Sequence, residues 1–471
     1  MRLRAVVAAV LVFAFGAPAA FAQEPVIESP FDRAYSALDI GAPPGVPAPF
    51  GGLTLRAGTS DRLLIGGAAN SAEGALYDIG VVRDGAGHIT GFSDTATRFA
   101  DAANNDGGVT YGPSGVLFLA RWPNNELGQT RPGSVITDKI IPLSDLGIAS
   151  SPGSVTFVPQ GQPGAGSLKL AAYSGGQWYD AAVTPDGTGT YNIVNVQAIP
   201  GVTLTGPEGF VYVGAGSAQF NAPSILVSEY SAGEVAAYAV DGEGDPRIAT
   251  RRAFISNLSG AEGAFVDPVT GDFLFSTFGG GNRVIVVRGF ARPLPPPVVG
   301  KKVNVLPARG TVKVRRPGAS SFKRLRAGQQ LPVGTSVDVT KGKVTLVAAA
   351  NRKGATMQGG FYDGTFKVRQ TKGAKPLTTL GLTDKLSCGS GNASTAAKRR
   401  RKRRLWGDGS GRFRTSGSYS SATVRGTRWL VEDTCTSTIT RVKRGTVTVR
   451  DFGRRKNVVV KAGQTYVARR G

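Results

Sequence analysis

Glu262-Gly263-Ala264-Phe265-Val266-Asp267-Pro268-Val269-Thr270-Gly271-Asp272-Phe273-Leu274-Phe275 reads as a strand, a turn and a second strand, opened by a glycine. Apolar and β-branched residues flank a Pro/Gly/Asp turn, which is the pattern of a hairpin. The same opening recurs upstream in Phe50-Gly51-Gly52-Leu53-Thr54-Leu55, Asp106-Gly107-Gly108-Val109-Thr110-Tyr111, Pro152-Gly153-Ser154-Val155-Thr156-Phe157 and Glu208-Gly209-Phe210-Val211-Tyr212. The glycines at 51, 107, 153, 209 and 263 are 46 to 56 residues apart. That is close to the length of one four-stranded propeller blade. Between them run short β-type stretches separated by Gly, Pro, Asn and Asp, with almost no helical periodicity. The last unit holds about two strands, and the segment near 34–40 is placed to supply its outer strand and close the ring. The chain is therefore predicted to be all-β, with a β-propeller of about five blades over 23–290. Six blades is the alternative count, and a glycine-rich sandwich is the competing fold.

The repeat stops at Ala291-Arg292-Pro293-Leu294-Pro295-Pro296-Pro297, a run unsuited to a sheet interior. The charge changes sign there. Residues 23–295 carry 15 Lys+Arg and 25 Asp+Glu, a net of −10, whereas 296–471 carry 39 and 7, a net of +32. Two segments of opposite sign read as two domains with different partners. We place a linker at 291–304 and a second, basic β-domain at 305–471. In it Val312, Val314, Val337, Val339, Val344, Leu346, Val447 and Val449 alternate with polar residues, as in strands with one buried face. The stretch near 389–411 is polar and basic with no strand pattern, and is predicted to be a disordered loop.

Residues 1–22 read as a signal peptide. Arg2 and Arg4 precede an apolar run over 5–15, and Ala20-Phe21-Ala22 is a cleavage signature. No later stretch has the roughly 18 apolar residues of a span, so a secreted or cell-surface location is expected. Export makes a disulfide between Cys388 and Cys435 plausible, with two buried thiols the alternative. With only these two cysteines and the single histidine His88, a zinc site is not expected.

Candidate metal ligands are Glu73, Asp106, Glu208 and Glu262, each beside a strand-opening glycine. If strand starts face a propeller channel, these carboxylates converge there. Calcium is the ion such an oxygen set would take, and no other cofactor is expected. A metal-bound water in that place would open a lactone or ester. The plainer reading is that the carboxylates accept hydrogen bonds from backbone N–H groups. His88 sits in a turn, no Gly-x-Ser-x-Gly elbow exists, and no helix follows the glycines at 279–281, so triad and phosphate-loop chemistry are unsupported. The run Lys398-Arg399-Arg400-Arg401-Lys402-Arg403-Arg404 reads either as a solvated loop or as a foot for polyanions. The partners expected are anionic cell-wall polymer, acidic exopolysaccharide or a protein. Sequence-specific nucleic-acid binding has no motif behind it. An internal role, the acidic half docking on the basic half, is the third reading of the charge step.

Two family resemblances add to this. Gly310-Thr311-Val312-Lys313-Val314 and Gly334-Thr335-Ser336-Val337-Asp338-Val339-Thr340, then Val424-Arg425-Gly426-Thr427-Arg428-Trp429-Leu430-Val431, Gly445-Thr446-Val447-Thr448-Val449 and Ala462-Gly463-Gln464, resemble FecR-type domains. That resemblance implies an all-β module of exported regulators or surface proteins. Glu73-Gly74, Glu208-Gly209, Glu262-Gly263 and Thr184-Pro185-Asp186-Gly187 are similar to gluconolactonase/regucalcin-type propellers, which implies a divalent metal in a central channel. Together these readings make a secreted, non-catalytic surface-binding or scaffolding protein the leading expectation. A metal-dependent propeller hydrolase anchored by the basic module is the runner-up, and an envelope signalling regulator the third.

Overall fold

Each of the five glycine-opened repeats begins the innermost strand of its own antiparallel sheet. The computed structural model describes residues 24–470 except 149, 215, 293, 327, 353, 387, 389–401 and 425. The signal-peptide reading of 1–22, and Lys398, Arg399, Arg400 and Arg401, lie outside these residues. The inner strands of blades 1 to 5 are Leu53–Leu55, Asn105–Tyr111, Pro152–Phe157, Pro207–Tyr212 and Ala261–Val266. Second strands follow at Arg62–Gly67, Leu117–Arg121, Leu168–Ala172, Ser224–Glu229 and Phe273–Thr277. Ser36–Asp39 pairs with Val284–Arg288 and completes blade 5, so the N-terminal segment closes the ring as the sequence suggested. Val26–Ile27 adds an edge strand to blade 4.

Every blade interface is a separate apolar cluster. Leu76 and Leu119 lie between blades 1 and 2, Phe118 and Leu170 between 2 and 3, Trp178 and Phe210 between 3 and 4, Phe254 and Phe275 between 4 and 5, and Ile65 and Val286 between 5 and 1. Five clusters for five interfaces is the packing signature of a closed ring. It also explains why the second strands are apolar on both faces: each blade is covered on two sides. The strand-opening glycines are there for space. A Cβ on Gly263 would lie 2.6 Å from Gly52 Cα, and one on Gly209 would strike the Ala264 amide. Inner strands of a narrow ring pass this closely only where side chains are missing.

The basic domain is one curled sheet. Its two edge strands, Asn457–Lys461 and Thr465–Arg469, are joined by only three residues, so the edges must meet and the sheet becomes a nearly closed barrel. Val303, Val337, Phe361, Phe366, Leu405, Phe413 and Trp429 fill it from all sides. Cys388 and Cys435 form the expected disulfide, with Cα atoms 5.6 Å apart. The loop expected near 389–411 is corrected over its second part. Lys402–Ser410 is a strand between Thr356–Tyr362 and Thr427–Thr434. Its inward face reads Arg403, Leu405 and Gly407, with one apolar side chain. The Trp429 indole occupies the space over Gly407, so the apolar group comes from the neighbouring strand.

The linker is held against this domain, because Gln330 Nε2 donates to the Pro295 and Pro296 carbonyls. The two domains also touch directly. Gln358 accepts from the Gly161 amide and donates to the Gln162 carbonyl, both at 2.9 Å. Both of these hydrogen bonds join neutral groups.

Candidate functional site at the propeller axis

Asp106, Glu208 and Glu262 occupy the same place in blades 2, 4 and 5, each one residue past the residue (Asn105, Pro207, Ala261) that pairs with the end of the second strand. Asp106, Glu208 and Glu262 are at most 4% exposed, and one carboxylate oxygen from each lies within 4.8 Å of the others. Asp106 Oδ2, Glu208 Oε2 and Glu262 Oε1 have no hydrogen-bond partner. The plainer sequence reading would have backbone N–H groups satisfy these carboxylates. The unpaired oxygens show that it does not account for the cluster.

Three buried carboxyls this close together cannot all ionise without a counter-charge. Burial pushes Asp106 up to about 7, opposed by hydrogen bonds from Glu262, Asn70 and Gly107. Burial raises Glu208 well above the usual range, and the Asp106 charge adds to it. Glu262 is raised in the same way, by burial and then by Glu208 and Asp106. A divalent cation among them would take the unpaired oxygens as ligands and let all three ionise.

Glu73, grouped with these residues from sequence, does not join them. It is exposed, in the turn between the second and third strands of blade 1. Its Glu-Gly pair has the local look of a blade opening, but the inner strand of that blade is Leu53–Leu55. His88 is also more than a turn residue: its Nδ1 sits 2.5 Å from Asp272 Oδ2 and ties blade 1 to blade 5.

Sequence reading missed four aromatic residues at one mouth of the channel. Trp122, Tyr173, Tyr230 and Phe278 each follow the second strand of blades 2, 3, 4 and 5, and all are half-buried. The register sets them at the acidic end, because Asn105 pairs with Arg121, Pro152 with Ala172, Pro207 with Glu229 and Ala261 with Thr277. Successive ring centroids are 6.3, 6.0 and 6.2 Å apart, with planes inclined at 80°, 75° and 73°. The Tyr230 phenol is pushed up first by burial and then by charges that include Glu262, Glu208 and Asp106, which places it within their field. Blade 1 has Ala68 at this position. The signal was an aromatic residue closing the second strand, but its distance from the blade glycine varies too much to show as a repeat.

In the basic run, the described residues are already paired. Arg403 bonds Asp433, which is fully buried and also accepts from Ser418 and Thr438. Lys402 faces Glu432 and Arg404 faces Asp363. Arg403 thus holds the barrel together and is not a free contact for a polyanion. Among the described residues no helix is long and apolar enough to cross a membrane.

No family model matches the chain, and none of the curated proteins compared with it does. Solved structures do. A gluconolactonase from Xanthomonas campestris is 14% identical, covering 66% of this chain and 95% of its own, at a TM-score of 0.32. The PQQ domain of pyranose dehydrogenase from Coprinopsis cinerea is 10% identical, with coverages of 56% and 97% and a TM-score of 0.33. An auxiliary nutrient binding protein from Bacteroides ovatus is 10% identical, with coverages of 54% and 76% and a TM-score of 0.31. The propeller assignment stands on the five sheets and their five interfaces.

Proposed function

We propose that the propeller is a divalent-cation-dependent ligand-binding domain, carried by an exported chain whose basic module fixes it to anionic envelope polymer. The observation that carries the reading is the set of unpaired oxygens on Asp106, Glu208 and Glu262 at the axis. A calcium-class ion suits an all-oxygen site, and carboxylates aimed at one point are already positioned for it. The anchoring role rests on the excess of cationic side chains over 296–471 and on the FecR-like motifs, and it includes Lys398, Arg399, Arg400 and Arg401.

Terbium luminescence tests the centre, because terbium replaces calcium and is sensitised by nearby Tyr and Trp. Saturable emission is expected that calcium competes away and that D106N, E208Q and E262Q each weaken. No emission at millimolar terbium would overturn the proposal. Convergence of the three carboxylates also favours a second reading, hydrolysis of a lactone or ester by an ion-bound water. Turnover of a lactone and aryl-ester panel that needs calcium and vanishes in E262Q would establish it. Retention on cell-wall material that persists unchanged in half-molar salt would refute the anchoring role, since polyanion binding falls steeply with salt.

A further inference from the structure

We propose that the aromatic mouth of the channel binds an alkylammonium group. The proposal rests on the reading of an axial cation centre only for the charge beneath the rings. Trp122, Tyr173, Tyr230 and Phe278 come from four consecutive blades at one structural position. Their planes turn by 80°, 75° and 73° from one to the next, close to a fifth of a full turn each time. That is how rings stand when the five-fold axis relates them, and four such rings with their faces turned to the axis would bound a box. With neighbouring centroids 6.0 to 6.3 Å apart, a five-cornered arrangement leaves each ring about 5 Å from the centre, inside the roughly 6 Å over which an aromatic face attracts a cation.

The shape and the charge select the ligand class. A sugar stacks on one flat face, whereas steeply inclined neighbours enclose a compact group. Tetrahedral alkylammonium groups fit such a box, and several ring faces share their diffuse charge. Asp106, Glu208 and Glu262 lie beneath the same mouth and act on Tyr230 electrostatically. Three carboxylates with one divalent ion keep one negative charge, which a single ammonium balances. Blade 1, with Ala68 at this position, contributes no ring.

Calorimetric titration of the full chain with choline tests this, once in calcium and once in a chelator. The control is 3,3-dimethylbutan-1-ol, which has the shape of choline without the charge. Choline is expected to bind at least tenfold tighter than the neutral alcohol, and Tyr173→Leu or Tyr230→Leu to weaken it at least tenfold while the melting temperature of the basic module is unchanged. Co-sedimentation with phosphatidylcholine vesicles separates a lipid headgroup from a free solute as the source of the group. Equal binding of the two compounds, no binding at tens of millimolar choline, or indifference to both tyrosine substitutions would overturn the proposal. Choline binding in chelator without terbium emission would remove the ion centre and leave this site standing. Terbium emission without choline binding would do the reverse.

Discussion

Without a bound cation, the propeller should lose stability as the pH rises from 5 to 8, and calcium should cancel the loss. The sign follows from the buried carboxyls. Asp106 titrates at about 7 in the folded chain against 3.8 ordinarily, so the folded state holds its proton where the unfolded chain has lost it. Stability from this group is complete below about pH 4 and disappears as the pH climbs through 7. Between pH 5 and 8, Asp106 alone makes a difference of roughly 2.5 kcal/mol, and Glu208 and Glu262 add in the same direction. For a domain of this size that is on the order of 5–8 °C in melting temperature. Scanning calorimetry of the full chain in chelator and in millimolar calcium measures it. The calcium-induced rise should be large at pH 8 and small at pH 5, where protons already occupy the site. Asp180, raised to about 6 by burial beside Lys169 and Asp245, contributes a slope of the same sign that calcium does not touch. The substitution E262Q should therefore abolish the calcium-dependent part and raise the pH 8 melting point in chelator. A calcium effect of equal size at pH 5 and pH 8, or one that survives E262Q, would refute the reasoning.

Gly263→Ala is expected to cost at least about 2 kcal/mol in chemical denaturation, because the new Cβ meets the Gly52 backbone at 2.6 Å. Gly91→Ala, with open space around it, should stay within roughly 0.5 kcal/mol. Arg403→Ala should destabilise the barrel by about 3 kcal/mol through the buried Asp433 it leaves short of a partner, while exposed Lys402→Ala should cost roughly 0.5 kcal/mol or less. Similar urea midpoints for these two variants would contradict the structural role given to Arg403. Replacing Cys388 and Cys435 by serine should lower the barrel's stability by about 4 kcal/mol, since the bond closes a long loop, and thermal melting of the double variant checks it.

The blade count was legible because each inner strand needs a glycine where its neighbour's backbone passes, and five such glycines recur at blade spacing. The closing strand Ser36–Asp39 and the disulfide were legible for equally local reasons: an incomplete last repeat, and two cysteines in a chain read as exported. The strand Lys402–Ser410 was not, because Leu405 is its lone inward apolar side chain and Trp429 fills the place above Gly407. Of the four carboxylates proposed as ligands, three share the axis and Glu73 faces solvent. Their Glu-Gly or Asp-Gly surroundings are alike, and the difference is whether the following strand is the inner one of its blade.

By itself the sequence determined what repeats along the chain: strand periodicity, the glycine spacing, the change of charge at the proline run and the cysteine pair. Those are properties of neighbouring residues and of composition. Only the closed ring decided which carboxylates lose water together and which aromatic rings share a mouth. Asp106, Glu208 and Glu262 stand 102 and 54 residues apart in sequence, yet reach one point because the blades turn about a common axis. Burial and mutual charge, which make them chemically unusual, exist only once that axis has formed.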